Sequence, residues 1–154
     1  MHTVFLDQAS MGPGDIDYSD LERVAPGWCG YANTAAQQVI ERIGDAEIVI
    51  TNKVVLDSDI LAAVPALKLI CVAATGTNNI DVDAAHRNNI VVCNARGYAT
   101  ASVVEHVFAL LLSLQRHLGD YQQAAVDGRW AHSRQFCFID KPIIELAGKT
   151  MGIV

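Results

Sequence analysis

The stretch that decides the fold is LICVAATGTNNIDVDAAHRNNIVVCNARGY, residues 69–98. An apolar run, Leu69–Ala74, gives way abruptly to a loop of Thr, Gly and Asn at 75–79, and a helical pattern then leads to a second apolar run, Ile90–Cys93. The order strand, loop, helix, strand predicts a βαβ unit. Its loop follows the carboxyl end of a parallel strand, which is where open parallel sheets bind their ligands.

The loop after the first of these strands is composed of residues that suit an anion site. Gly76 lets the backbone turn and lets a ligand approach closely. Exposed backbone amides in such a loop are able to hold a carboxylate or a phosphate. Asp81 is predicted to be the N-cap of the following helix. Taken alone, the loop is equally compatible with a βα turn that binds nothing.

Three further strands are predicted upstream of this unit, at Thr3–Leu6, Trp28–Tyr31 and Glu47–Thr51. Helical patterns separate the strands, at Ser19–Val24, from Thr34 to Gly44, and from Asp57 or Ser58 to the residue before Pro65. Thr34 and Gln37 form a capping-box pattern, and the apolar run 48–50 predicts a strand covered on both faces. Five strands alternating with helices predict an α/β fold, a doubly wound parallel sheet of flavodoxin-like topology.

After residue 100 the sequence no longer alternates between strand and helix patterns. A long helix is predicted over Ala101–Leu118, and it is apolar nearly all round, which is typical of a helix buried against more than one partner. A second helical pattern covers Asp120–Asp127, an irregular loop follows over Gly128–Lys149, and Thr150–Val154 has the pattern of a new strand.

Composition and charge exclude several classes of function. The chain has 154 residues, of which 51% are hydrophobic and 18% charged, and its net charge of −6 without a basic run excludes a nucleic-acid partner. The amino terminus reads as a strand and not as a signal peptide, and the most apolar window, Val103–Leu114, is too short to cross a membrane. The four cysteines form no C-x-x-C pair, so we expect reduced thiols and a cytoplasmic location, with no zinc site.

Three segments, in this order, resemble the D-2-hydroxyacid dehydrogenase family: AATGTNNID (73–81), VVEHVFALLLSLQRH (103–117) and ELAGKTMGIV (145–154). The resemblance is closest to the glycerate dehydrogenase and hydroxypyruvate reductase branch. The segments ITNKVVLDSDILAAVPALKLI (50–70) and GRWAHSRQFCFIDKPI (128–143) point to the same branch. The resemblance covers nearly the whole chain.

The resemblance implies a domain organisation. Residues 1–100 would form the substrate domain, 101–149 the interdomain helix and a connecting loop, and 150–154 the first strand of a Rossmann domain that this chain does not contain. The Gly-rich sequence G-x-G-x-x-G, which cradles the cofactor pyrophosphate, occurs nowhere in the 154 residues. The family's catalytic Arg, Glu and His are therefore expected beyond residue 154, and no catalytic residue is assigned in this chain.

The resemblance also implies a function. The chain would be the N-terminal part of an oxidoreductase that transfers hydride between NAD or NADP and a small anionic D-2-hydroxy or 2-oxo acid, such as glycerate, hydroxypyruvate or glyoxylate. The complete enzyme would be a homodimer, and the 154 residues alone would be inactive. The choice between NAD and NADP stays open because the residue that reads the ribose follows the Gly-rich loop. The alternative is a stand-alone flavodoxin-like binding or interaction module without catalysis, but such a module would expose the apolar helix.

Five residues are candidates for binding. By resemblance, Thr75 and Gly76 hold the substrate carboxylate by their backbone and Thr75 also faces the nicotinamide. Lys53 and Tyr98 are assigned to the substrate, and Thr100 to the cofactor. Two of them also have an interpretation without a binding role. Lys53 is compatible with a solvated surface cation, and Thr100 with a simple helix cap. The pair Glu105-His106 is not an acid/base pair, since adjacent helical residues do not face each other.

Overall fold

The computed structural model describes residues 2–12 and 14–153. The chain divides into two compact units, with the boundary between Tyr98 and Ala99. Within the described residues, no helix combines the length and the apolar character that a bilayer-spanning segment requires.

The first unit is built on a parallel sheet of five strands. The strands are β1 (Thr3–Phe5), β2 (Cys29–Gly30), β3 (Ile48–Thr51), β4 (Leu69–Val72) and β5 (Val91–Asn94). They lie in the order β2-β1-β3-β4-β5, and every pairing is parallel. This order is the flavodoxin-like one, so the predicted doubly wound α/β fold is confirmed.

Four short helices connect these strands: α1 (Ser19–Val24), α2 (Val39–Ile43), α3 (Ser58–Ala63) and α4 (Val82–Arg87). The 3₁₀ turn Gln8–Met11 follows β1, and a second 3₁₀ turn, Ala36–Gln38, precedes α2. Two predicted N-caps are present. The Asp57 carboxylate accepts from the amides of Asp59 and Ile60, and the Asp81 carboxylate accepts from the amide of Ala84. Gly44 ends α2 with φ of 52°, as its position in the sequence predicts.

The capping box predicted at Thr34 and Gln37 is wrong by one residue. The Gln38 side chain accepts from the backbone amide of Ala35 at 3.2 Å. The Thr34 hydroxyl instead donates to the carbonyl of Leu6, so it ties the helix entrance to the end of β1. The segment has an Ala where the cap should be, and it therefore begins as a 3₁₀ turn rather than as a fully capped α-helix.

The core of the first unit lies mainly on one face of the sheet. Strand residues on that face are fully buried against side chains of α2, α3 and α4, which include Val49, Ile70, Val72, Ile43, Leu61 and Ala85. On the other face Phe5 is buried beside Tyr18 and Trp28, but Ile48 and Ile50 are only half-buried. The expectation that β3 is covered on both faces is therefore wrong, because α1 buries no side chain.

The second unit contains two helices, α5 (Thr100–Gln115) and α6 (Leu118–Val126). The helix predicted over 101–118 ends three residues early, because His117 adopts a left-handed conformation with φ of 50°. Residues 127–153 carry turns but neither helix nor strand. The strand predicted at 150–154 is not formed in its described part, 150–153, since no other strand of this unit is described to pair with it. Val154 lies outside the described residues.

Helix α5 exposes the apolar side chains that the sequence predicts to be buried. Val103, Val107, Leu110 and Leu114 are all exposed, Leu114 to 74%. The apolar side chains do recur at helical spacing, but no surface of the described residues covers them.

Candidate functional site

The candidate site is the carboxyl edge of the sheet in the first unit. The register pairs Thr51 with Val72 and Val72 with Asn94, so β3, β4 and β5 end side by side. The loops 52–57, 73–81 and 95–98 therefore leave the sheet at one edge, as the parallel order predicts.

A buried carboxylate holds the first of these loops. Asp7 stands two residues after the end of β1 and is only 5% exposed. Its Oδ1 accepts from the amide of Asn52 at 2.9 Å, and its Oδ2 accepts from the amide of Lys53 at 2.6 Å. The backbone at Lys53 is thus fixed, while the Lys53 side chain is exposed and forms no ion pair with any described residue.

Backbone and side-chain hydrogen bonds join the first loop to the second. The amide of Leu56 donates to the carbonyl of Asn79 at 2.9 Å, and the amide of Asp81 donates to the carbonyl of Leu56 at 3.0 Å. The Asn79 amide group also donates to the carbonyl of Val54 at 2.9 Å. The loop after β4 is therefore fixed along its second half.

The second loop is also joined to the third. The Thr75 hydroxyl donates to the carbonyl of Ala95 at 3.1 Å, and the Asn94 side chain donates to the carbonyl of Thr75 at 2.7 Å. These two bonds hold Thr75 to the end of β5. Its hydroxyl is engaged within the protein, so only its backbone is left to meet a ligand.

The amides of Thr75, Gly76 and Thr77 form a row of free hydrogen-bond donors at this edge. None of the three donates a hydrogen bond to an acceptor in the described part of the chain, and Thr75 and Gly76 are exposed. Successive free amides of this kind form a concave site for a carboxylate or phosphate oxygen. The structure therefore brings Thr75, Gly76 and the loop of Lys53 to one edge.

The backbone conformation of Gly76 differs from the expectation. It has no left-handed φ, so the turn itself does not require glycine. A Cβ at this position would lie 3.1 Å from Asn78 Oδ1, which is a tight contact with a side chain. The expectation that glycine is needed for the turn is therefore wrong, and close approach of a ligand to this backbone stays a prediction.

The other two candidates stand at the end of the third loop and just after it in sequence. Tyr98 is the last residue of that loop, and its side chain is 69% exposed. Thr100 is the first residue of α5 and belongs to the second unit. The expectation that Thr100 caps this helix is wrong, because the cap position is held by Ala99, which has no side chain to accept.

His2 has a partner that is distant in sequence. Its Nδ1 lies 2.9 Å from Oδ1 of Asp45, 43 residues further along the chain. His2 directly precedes β1, so this pair lies at the amino edge of the sheet, away from the three loops. Among the residues that the structure describes, no three His, Cys, Asp or Glu side chains are grouped to hold a metal ion.

Sequence reasoning missed three residues that shape the site, namely Asp7, Asn79 and Asn94. A signal for Asp7 and Asn94 is present in the sequence, since a polar residue stands at the end of an apolar strand in each case. Their hydrogen-bond partners are 45 and 19 residues away in sequence, so only the sheet register brings them together.

Comparison with known proteins places the chain in a family. The family model described as "D-isomer specific 2-hydroxyacid dehydrogenase, catalytic domain" matches residues 13–147. A match over that length shows that this chain belongs to the D-isomer specific 2-hydroxyacid dehydrogenase family.

Individual relatives agree with the branch that the sequence indicates. The chain is 41% identical to a hydroxypyruvate reductase of Blautia hydrogenotrophica, over all of this chain and 48% of that protein. It is 44% identical to a glycerate dehydrogenase of Methylorubrum extorquens, over 77% of this chain and 38% of that protein. The chain thus spans about half the length of the curated relatives that it matches.

A solved structure with a similar fold is the NADPH-dependent glyoxylate/hydroxypyruvate reductase from Sinorhizobium meliloti, in complex with citrate. The TM-score is 0.68 at 26% identity, and the alignment covers 97% of this chain and 44% of that one.

The residues of this chain fit only part of a dinucleotide site. The Gly-rich sequence that holds the pyrophosphate does not occur in the 154 residues, and the second unit has no described strand from which such a loop would start. We therefore derive no step of hydride transfer from this chain.

Proposed function

We propose that this chain is the substrate-binding part of an NAD- or NADP-dependent oxidoreductase. The reaction is hydride transfer between the nicotinamide and C2 of a small anionic D-2-hydroxy or 2-oxo acid, and the substrates are glycerate with hydroxypyruvate, or glyoxylate. The observation that carries the proposal is the row of free amides at Thr75–Thr77 on an edge where three loops are held together by hydrogen bonds. Family membership supports the same reaction.

In this proposal the backbone of Thr75 and Gly76 binds the substrate carboxylate. The protein carries a net charge of −6, so an anionic ligand needs local positive charge to approach it. The exposed side chain of Lys53 supplies this charge from the neighbouring loop. A row of free amides with a cation on the neighbouring loop suits a small carboxylate better than a large apolar ligand.

Tyr98 and Thr100 belong to the same proposal. Tyr98 would contact the substrate, and Thr75 and Thr100 would face the cofactor. No catalytic residue is assigned in this chain. In the family a His paired with a Glu acts as the acid and base, and an Arg binds the substrate carboxylate. The division at residues 100 and 149, with a nucleotide-binding domain starting at 150, belongs to the same proposal.

The proposal extends to partners and location. We propose a homodimer for the complete enzyme. We also propose a cytoplasmic location, which the four free cysteines support. We expect no nucleic-acid partner, because no basic stripe is present in the sequence.

The test is a titration of the ¹⁵N-labelled 154-residue chain with oxamate, a non-reacting analogue of a 2-oxo acid, followed by NMR. We expect saturable shifts confined to the amides of residues 52–56 and 75–77, and no such shifts with neutral acetamide. Lys53→Met should weaken binding of oxamate. The matched control is Lys68→Met, since Lys68 is an exposed lysine that precedes β4 at the opposite edge and pairs with Glu47.

Two results would contradict the proposal. One is the absence of saturable shifts at 75–77 with oxamate. The other is equal binding of oxamate and acetamide, since a site made for a carboxylate must discriminate against the neutral amide.

A further inference from the structure

The buried carboxylate of Asp7 is the feature of this edge that the proposed function has not used. Burying an ionised carboxylate costs free energy unless hydrogen bonds satisfy it. Asp7 stands at the N-cap position of the 3₁₀ turn Gln8–Met11, yet its side chain does not cap that turn. Both of its oxygens accept from the loop after β3 instead, at 2.9 and 2.6 Å.

Further hydrogen bonds strengthen the hold of Asp7 on this loop. The Asn52 side chain donates to the carbonyl of Ser10 at 3.3 Å and to its hydroxyl at 3.1 Å. Asp7 and Ser10, which follow β1, thus hold two successive residues of the next loop, Asn52 and Lys53, by hydrogen bonds. No Lys, Arg or His among the described residues forms an ion pair with Asp7, so its binding capacity is directed to backbone amides.

The loop that Asp7 holds is joined to the residues that follow the amide row. The amide of Leu56 donates to the carbonyl of Asn79, the amide of Asp81 donates to the carbonyl of Leu56, and the Asn79 side chain donates to the carbonyl of Val54. The amide of Ile80 in turn donates to the carbonyl of Thr77 at 2.9 Å. The loop that carries Lys53 is thus connected by hydrogen bonds to the loop that carries the free amides.

We propose that Asp7 is a positioning residue for substrate binding, which acts by fixing the backbone of Lys53 relative to the amides of Thr75–Thr77. The proposal rests on the proposed function of that edge. Asp7 itself touches no ligand. An asparagine at this position would keep one acceptor but would turn an NH₂ group towards one of the two backbone amides, which breaks this hold without changing the size of the side chain.

The experiment is a double-mutant cycle on the 154-residue chain, with oxamate as the probe and the NMR titration as the readout. Asp7→Asn should weaken oxamate binding about tenfold, because charge-assisted hydrogen bonds to two amides are lost. When Lys53 is already Met, the same Asp7→Asn change should cost less than about threefold, because its effect is transmitted through Lys53. The matched control is Asp45→Asn, a change of the same kind at a carboxylate whose side chain is 90% exposed, which should leave binding unchanged.

The outcomes separate the two claims. If the unmodified chain does not bind oxamate, the proposed function fails and this inference fails with it. If the unmodified chain binds but folded Asp7→Asn binds equally well, or if its effect is the same with Lys53 and with Met at position 53, then Asp7 is only structural and the inference alone is wrong.

A second variant covers a failure of Asp7→Asn to fold. Asn52→Ala removes the two bonds to Ser10 and leaves the carboxylate in place. It should weaken oxamate binding several-fold in a folded chain. Unchanged binding in that variant would overturn the inference.

Discussion

Gly76 is the residue whose side-chain size bears most directly on ligand binding. Its backbone is not left-handed, so alanine is sterically allowed once the Asn78 side chain moves slightly from its 3.1 Å contact. We therefore expect Gly76→Ala and Gly76→Val to fold, with free energies of unfolding within about 1 kcal/mol of the parent. Oxamate binding should weaken with the size of the substituent, because the new methyl groups cover the amides. Urea unfolding and the NMR titration measure the two effects separately.

Gly97 provides the control for this prediction. Its φ is 74° and nothing lies within 4 Å of a Cβ placed there. Gly97→Ala should therefore lose stability through backbone strain without covering the amide row. If Gly76→Val binds oxamate as tightly as the parent, the assignment of the carboxylate to this backbone is wrong.

The N-cap at Asp81 gives a prediction about stability. Its carboxylate accepts from the amide of Ala84 at 2.8 Å at the start of α4. Asp81→Ala should lower the free energy of unfolding by about 1 kcal/mol, measured by urea titration. Asp83→Ala, in the first turn of the same helix and without a cap bond, should cost only about 0.3 kcal/mol. Equal losses would show that the cap bond contributes nothing.

Local sequence patterns predicted the capping residues, because their hydrogen-bond partners lie within one helical turn. Asp57 and Asp81 were predictable because a cap and its amides are two or three residues apart. Asp7 was not, because its two amides belong to another strand's loop. Thr100 shows the opposite error, since a residue type suited to capping occupies the first helical position and not the cap.

At the scale of the element, α5 has an apolar row that no described residue covers. Val103, Val107, Leu110 and Leu114 follow helical spacing and are exposed. We expect the 154-residue chain to self-associate at high concentration through this row, because contiguous exposed apolar surface favours contacts between chains. Replacing Leu110 and Leu114 together by Glu should shift the chain towards monomer in sedimentation velocity runs.

The control for α5 is a charge introduced at an apolar residue elsewhere. Val24 is 62% exposed at the end of α1, and Val24→Glu should leave the sedimentation profile unchanged. A parent chain that is monomeric at every concentration would contradict the prediction.

The strands β4 and β5 give a prediction about thiol chemistry. Cys71 and Cys93 are direct partners in the parallel register. Burial raises the pKa of the Cys71 thiol, and the neighbouring Cys93 thiol adds to the rise. Because the thiolate is the reactive form, Cys71 should be alkylated by iodoacetamide more slowly than the exposed Cys29 and Cys93. Peptide mass spectrometry over a time course measures the order, and labelling of Cys71 first would contradict it.

The sheet was predictable as a whole because each strand is marked within its own sequence by an apolar run and a following turn. The five strands and their parallel order agree with that pattern. The pattern does not tell which sides of an element are covered by other residues. The runs at β3 and α5 are apolar on several sides, but whether a partner covers each side depends on residues elsewhere, so both burial predictions were wrong.

At the scale of the whole molecule, the two units differ in how much core they possess. The buried hydrophobic residues lie in the first unit apart from Ala124 of α6. A unit without a substantial core gains little free energy from folding. The amides of α5 and α6 should therefore exchange with solvent faster than those of β3 and β4, a difference that hydrogen-exchange mass spectrometry resolves. Equal protection of the two units would contradict this expectation.

The last prediction is that the 154 residues alone do not catalyse the redox reaction. Hydride transfer requires a nicotinamide held close to the substrate carbon, and the Gly-rich loop that would hold its pyrophosphate is not in the sequence. The three described loops at the site, 52–57, 73–81 and 95–98, also contain no histidine that could transfer a proton. Their two carboxylates, those of Asp57 and Asp81, accept hydrogen bonds from helix amides. We expect no oxidation of NADH or NADPH with hydroxypyruvate or glyoxylate above the rate of a blank. Gly76→Val provides the control, because a contaminating enzyme would give the same rate in both preparations. Turnover that falls in Gly76→Val would show that the chain carries its own catalytic groups, and it would overturn the assignment of those groups to residues outside it.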